Sequence, residues 1–352
     1  MNENANRKTT KYFAASNSYK GFVSFFDNVF PSDGFDRIYI LKGGPGTGKS
    51  SFMKKVASTL RDKDCNIDEI CCSSDPHSLD GIIAEKNDRR IAILDGTAPH
   101  ERDAIIPGAI DEIINLGCSW DSRWLSARRE QILDLVKEKS LAYKCGYSYL
   151  KIAGASDDFI RNIYESIFDK NKAKSVAEEI LSNVISSDKQ EIKSRLISSF
   201  GKYGYYKINE SEYNLEHKIG VRGDEYSASL FLRTLYEVAL SKKMSFINYM
   251  CPLNTLYSEG ITFYNAQMTV MRSDVGEIDS LVLLTDDRMY SERTKGAKEF
   301  RRESLEEARR WFSIASELHF ELEKIYGESM NFEKNDEIFD IKLREIKNIL
   351  QI

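Results

Sequence analysis

The sequence predicts an α/β protein of two tandem three-layer halves with parallel sheets, a helical insertion and a helical C-terminus. Three observations carry that expectation. A glycine-rich run at residues 43–50 sits between a strand pattern and a helix pattern. A continuous apolar stretch at 91–94 ends in Asp95. A weak self-similarity, at the offset of 179 that carries Ile40 onto Ile219, repeats the pattern further along the chain.

The first element is the glycine run. Gly43-Gly-Pro-Gly-Thr-Gly-Lys-Ser50 fits G-x-x-x-x-G-K-[ST] in full. Before it, Asp36-Arg-Ile-Tyr-Ile-Leu-Lys42 reads as a buried strand. After it, Phe52, Val56 and Leu60 recur at four-residue spacing, as one face of a helix does. Strand, glycine loop and helix are the setting of a P-loop. The glycines let backbone N–H groups curl around phosphate, and the helix turns its positive end to the anion. The expected nucleotide contacts are Gly43, Gly44, Pro45, Gly46, Thr47, Gly48, Lys49, Ser50 and Ser51. Lys49 reaches the β- and γ-phosphates as a point charge, and the Ser50 hydroxyl suits Mg²⁺.

The second element supplies an acid. Ile91, Ala92, Ile93 and Leu94 suit a strand covered on both faces, and Asp95 emerges at its carboxyl end, where sites of open sheets form. Asp95 is read as the catalytic and metal-binding carboxylate, against the plainer reading of a turn-initiating Asp before Gly96. Residues 67–72 predict another strand, with Asp75, His77 and Asp80 on a loop at the same edge. These three could position water, touch metal or hold a second substrate; equally, Asp75-Pro76 is a turn and Ser78 or Asp80 a helix cap. Thr97 and His100 could approach the γ-phosphate or simply shape their loop.

The third element is the repeat. At the offset of 179, Gly44 falls on Gly223, Ser50 on Ser229, Phe52 on Phe231, Lys63 on Lys242, Cys72 on Cys251 and Gly81 on Gly260. With Ile40/Ile219 and Ile82/Ile261 that is eight identities, against roughly two or three by chance. Residues 12–18 resemble 196–202 after a small register shift. The halves are therefore placed at 1–188 and 189–352. The second loop is worn. Ala228 stands where Lys49 does, and Asp224 and Glu225 add negative charge, so a Mg-nucleotide is expected only in the first half. Asp274 falls opposite Asp95, and Arg222 or Arg272 could serve the first site as an arginine finger or be solvated.

Between Asp95 and the junction the pattern is mostly helical. Residues 121–144 predict one amphipathic helix with Trp124, Ile132, Leu133, Val136 and Leu141 available for burial. Arg123, Arg128 and Arg129 at its start are either a lid over phosphate or a solvated face. Residues 280–285 predict a strand, and 304–326 and 337–350 predict helices, with His319 as a structural residue of the first.

Bulk properties exclude several classes. With 41% hydrophobic and 30% charged residues, the 352-residue chain suits a folded domain pair rather than a disordered one. A formal net charge of −5 argues against nucleic acid or anionic lipid as partner. No two of the six cysteines form C-x-x-C; they read as reduced thiols, with Cys71-Cys72 filling core ahead of a reactive pair. The start of the chain lacks a secretory signal, and no apolar run approaches the ~20 residues that span a bilayer. A cytoplasmic protein without membrane insertion is expected.

The chain resembles a family of bacterial cytoplasmic ATP-binding proteins with two tandem P-loop halves. The resemblance rests on residues 41–51, Cys72-Ser-Ser-Asp-Pro76 with Leu79-Asp-Gly81, residues 93–100, 107–117 and 315–323. It implies a P-loop NTPase-like fold and ATP with Mg²⁺ as ligands. In that family the second half often keeps its own P-loop; the departure here argues against a mechanism that needs two nucleotides. Three readings stay open: an ATP hydrolase whose turnover drives a conformational or partner-binding change, a kinase for a nucleotide or other small metabolite, and a non-hydrolysing switch or adaptor. The hydrolase stands first, with a protein partner or self-association compatible with it.

Overall fold

The computed structural model describes residues 9–99, 101–208, 215–286 and 289–352. The first half runs β1 (Thr9–Phe13), a hairpin of β2 (Ala15–Ser18) and β3 (Gly21–Ser24), a short α1 (Phe26–Val29), β4 (Arg37–Lys42), α2 (Lys49–Arg61), β5 (Asn66–Cys71), β6 (Leu79–Lys86), β7 (Arg89–Asp95) and β8 (Asp111–Asn115). Helices α3 (Ser122–Ala127), α4 (Arg129–Ile167) and α5 (Lys170–Ile180) follow. The second half repeats the plan with β9 (Ile192–Arg195), the hairpin β10 (Ser198–Gly201) and β11 (Gly204–Lys207), β12 (His217–Arg222), α6 (Glu225–Ser241), β13 (Phe246–Met250), β14 (Ser258–Phe263), β15 (Met268–Arg272) and β16 (Ile278–Asp279). It closes with α7 (Met289–Glu328) and α8 (Phe332–Leu350).

The two six-stranded sheets share one topology, β1-β5-β6-β7-β4-β8 and β9-β13-β14-β15-β12-β16. The likeness extends to irregularities. A register shift falls between Ile70 and Cys71 and again between Tyr249 and Met250, at the offset seen in the sequence. Gly81 and Gly260 occupy the matching place, where a Cβ would meet Phe30 at 2.6 Å and Met271 at 2.6 Å.

The sheets are mixed rather than parallel, because β6 and β14 run antiparallel to both neighbours. The connections dictate this. A parallel crossover needs about a dozen residues, and the chain from β5 to β6 is too short for one. Asn87 and Asp88, at φ 52° and 58°, then turn β6 tightly into β7. Other expectations also change. Residues 111–115, inside the expected helical insertion, form β8 beside β4. Residues 280–283 form a 3-10 turn, not a strand, with Asp279 accepting from Leu281 N–H. The helix expected over 121–144 is α3 plus a 39-residue α4. Leu133, Val136 and Leu141 are exposed on it. Burial instead falls on Ala142, Gly146, Leu150, Ala153, Ile160 and Tyr164 further along.

Helices α4 and α7 lie side by side and antiparallel, each about 60 Å long at 1.5 Å per residue. Gly146 lets the ring of Phe312 approach to 2.9 Å from where a Cβ would be. Each long helix carries the chain to the other half. Ile346 and Leu350 of α8 join Tyr39, Leu41, Phe52 and Met53 in the core of the first sheet. Ala173 and Ala177 of α5 join Phe231, Leu235 and Ile261 in the core of the second. No described helix is long and apolar enough to cross a membrane.

Candidate functional site

Buried strand β4 delivers the chain into the loop 43–48. Gly46 and Gly48 hold φ 68° and 87°, left-handed values that glycine adopts freely. The loop is packed tightly from outside. A Cβ on Gly46 would stand 2.3 Å from the carbonyl oxygen of Glu323, and one on Gly44 would stand 2.9 Å from the ring of Tyr326. Asn335 Nδ2 on α8 donates to the Thr47 carbonyl at 3.0 Å. Within the loop, Thr47 Oγ1 donates to the Gly44 carbonyl at 2.9 Å. Lys49 opens α2, and its Nζ donates to the carbonyls of Gly43 at 3.1 Å and Gly44 at 2.9 Å. An ammonium, glycine backbone and the positive end of a thirteen-residue helix thus converge, an arrangement that attracts an anion. The Ser50 hydroxyl accepts from Leu79 N–H at 3.1 Å, Pro45 is half-buried, and Ser51 is exposed on α2.

Strands β4 and β7 pair in parallel, with Leu41 opposite Asp95, and that register brings Asp95 to Lys49. Asp95 Oδ2 lies 3.7 Å from Lys49 Nζ. Its Oδ1 accepts from Thr97 N–H at 2.9 Å and from the Thr97 hydroxyl at 2.6 Å. Thr97 therefore fixes the carboxylate. Burial pushes the Asp95 pKa up, against the pull of Lys49 and Thr97, and Asp80 adds to the rise. His100 lies outside the described residues.

Of the other candidates, Asp75 and His77 lie on the expected loop between β5 and β6, whereas Asp80 departs from expectation. Asp80 is buried on β6, not on a loop, and no helix starts there. Asp75 Oδ2 pairs with Lys202 Nζ at 2.7 Å, and His77 stacks edge-on against Tyr203 and Tyr206. Arg128 folds back over the Trp124 ring at 3.3 Å, while Arg123 and Arg129 are exposed. Arg222 pairs with Asp279 at 3.0 Å and Arg272 lies 4.0 Å from Glu225, both within the second half. Burial pushes the Cys71 thiol up to about 12 and the Cys72 thiol well above its usual value, which opposes a reactive pair.

Sequence reading missed the side chains that the second half brings to this site. Besides Lys202, α7 places His319 and Glu323 there, opposite Lys139 of α4. Lys139 Nζ is 3.5 Å from His319 Nδ1, and His319 Nε2 is 3.7 Å from Glu323 Oε1. Burial and the charges of Lys139, Lys49 and Lys202 push the His319 pKa down to about 4. Burial raises the Glu323 carboxyl, with Lys49, Lys202 and Lys139 opposing and Asp75 assisting. The available signal was the i, i+4 pairing of His319 and Glu323 on a helix read only for its apolar stripe.

The corresponding place in the second half is closed. Only Gly223 and Asp224 separate β12 from α6, so α6 begins where the first half has its loop. Asp224 Oδ1 accepts from the amides of Tyr226 and Ser227, both at 2.9 Å, and its Oδ2 accepts from the Tyr164 hydroxyl at 2.5 Å. A carboxylate of the chain itself therefore holds that helix terminus. Counting back from the caps Asp169 of α5 and Asn331 of α8, Tyr164 matches Tyr326, Arg161 matches Glu323, Asp157 matches His319 and Lys139 matches Arg301. Here the contacts are tight: Arg161–Asp157 at 2.6 Å, Arg301–Asp157 at 3.1 Å and Arg301–Glu225 at 2.9 Å. Burial alone would raise Glu225, but Arg301, Arg272 and Arg161 hold it below the usual carboxylate range.

Fold and site define an α/β protein of two like halves, one with a glycine loop before its helix and one in which a carboxylate caps the helix directly. Comparison with protein-family models, curated proteins and solved structures gave no match.

Proposed function

We propose that the protein binds a nucleoside triphosphate, read as Mg-ATP, in the P-loop at 43–51 and hydrolyses it, with the second half as a non-binding partner domain. The observation that carries this reading is the Lys49 ammonium held beside Asp95, at 3.7 Å, at the mouth of a glycine loop that opens a helix. Ser50 and Asp95 would hold Mg²⁺. The donor set fits, since both offer hard oxygens, and no cluster of three metal-binding side chains occurs among the described residues. Mg²⁺ commonly completes its shell with phosphate oxygens and water. When bound, it neutralises phosphate charge.

Hydrolysis is favoured over transfer to a metabolite because Arg123, Arg128 and Arg129, the features that suggested a kinase lid, turn away or are exposed. Coupling to a conformational change is supported by the packing of the α7 backbone on Gly46, which ties the loop to an element of the second half. The test is Mg-ATP binding and phosphate release by the intact protein beside Lys49→Ala. Loss of a charge-assisted contact predicts binding weakened roughly 10- to 100-fold in the variant. Equal behaviour of the two proteins would sink the reading.

A further inference from the structure

We propose that Glu323, carried by the second half on α7, is the catalytic base that takes the proton from the water attacking the terminal phosphate. The assignment rests on the hydrolase reading above. Three observations support it. The Glu323 backbone packs on Gly46, which places this turn of α7 against the glycine loop. Its carboxylate is only partly buried and lies in the field of Lys49 on α2. Two other acids near the loop are engaged, Asp75 by Lys202 at 2.7 Å and Asp95 by Lys49 and Thr97, and Asp80 is buried on β6.

The closed half adds a fourth observation. At the position matching Glu323 it carries Arg161, tied to Asp157 at 2.6 Å. Where the glycine loop is lost, the carboxylate is lost with it. Where the loop is present, the matching contacts are longer, at 3.5 and 3.7 Å, and the acid remains accessible.

The reaction balances without another reagent. The water oxygen forms a bond to the γ-phosphorus. The bond from that phosphorus to the β–γ bridging oxygen breaks, and its electron pair leaves on the β-phosphate beside Lys49. The water proton passes to the Glu323 carboxylate and then to solvent. The charged or titratable groups facing Glu323 are Lys49 from α2, Asp75 from the loop after β5, Lys202 from the β10–β11 turn, Lys139 from α4 and His319 from α7 itself.

The experiment compares the full chain with Glu323→Gln and Glu323→Asp, measuring ATP affinity, kcat and the pH dependence of kcat. The expected result for Glu323→Gln is kcat lower by roughly 10²- to 10³-fold with Kd within about threefold, as loss of a general base gives. The acid limb of the wild-type pH profile should vanish in Glu323→Gln, and Glu323→Asp should recover part of the rate with that limb present. Three outcomes overturn the assignment: an unchanged kcat in Glu323→Gln, an acid limb that survives the substitution, or loss of affinity equal to the loss of rate. A wild type that neither binds nor turns over ATP removes the hydrolase reading and this assignment together. A wild type that turns over beside an equally active Glu323→Gln removes this assignment alone.

Discussion

Gly46 shows how tightly one residue of the loop is constrained. It needs φ 68°, and a methyl there would stand 2.3 Å from the backbone oxygen of Glu323, which cannot swing aside as a side chain would. Gly46→Ala should therefore cost about 1–3 kcal/mol, read as a lower urea midpoint, and should weaken ATP binding too. His319 adds a pH dependence. Its pKa is about 4 in the fold against an ordinary value of 6.5. Between those values the unfolded chain takes up a proton that the native state refuses. Stability is therefore full above 6.5 and falls as the pH drops toward 4. In His319→Asn the difference in unfolding midpoint between pH 7.5 and pH 5 should shrink; an unchanged difference would locate the effect elsewhere. Lys49 and Asp95 were legible because their chemistry is local, a loop and a strand end. Lys202, His319 and Glu323 were not, because helix exchange and a distant hairpin bring them to the loop.

At the scale of elements, local signals succeeded where the neighbours agreed with them. Strand β5 matches the strand expected over 67–72, and β7 was legible as an apolar run. Strand β6 was not, because its opening Leu79-Asp-Gly81 has the composition of a turn, and only the sheet on both sides gives Asp80 and Gly81 a strand setting. Helix α6 shows the opposite case. The charge of Asp224 suggested a worn loop, and its role as an N-cap became visible only with the strand end at Arg222. Asp224→Ala should cost about 1 kcal/mol for the cap alone, read by urea unfolding, without creating a nucleotide site. The network behind it matters more. Asp157 is fully buried between Arg161 and Arg301, so Asp157→Ala leaves two guanidinium groups without their shared partner. Breaking such a buried cluster costs about 3–5 kcal/mol. A loss below about 1 kcal/mol would mean that water or Glu225 takes over the role.

At the scale of the whole molecule, the duplication was legible in eight identities, and the common strand order of the two sheets extends it. The exchange of helices was not legible, since a repeat reports likeness between segments and says nothing about which copy each segment packs on. Its consequence is mechanical. The first sheet needs Ile346 and Leu350 from the far end of the chain, and the second needs Ala173 and Ala177 from α5. Neither 1–188 nor 189–352 contains a complete core, because each lacks the last helix that covers its sheet. Each fragment alone leaves that apolar face open to water, at roughly 25 cal/mol for every Å² that folding would have buried. The two fragments produced separately should unfold without a cooperative transition, whereas fragments produced together should associate, because α4 and α7 meet along their length. If the first half binds ATP only with its partner present, the glycine loop depends on the support of α7 and α8. If 1–188 alone folds cooperatively and binds ATP with the affinity of the intact chain, the exchanged helices are dispensable and the interdependence of the halves is wrong.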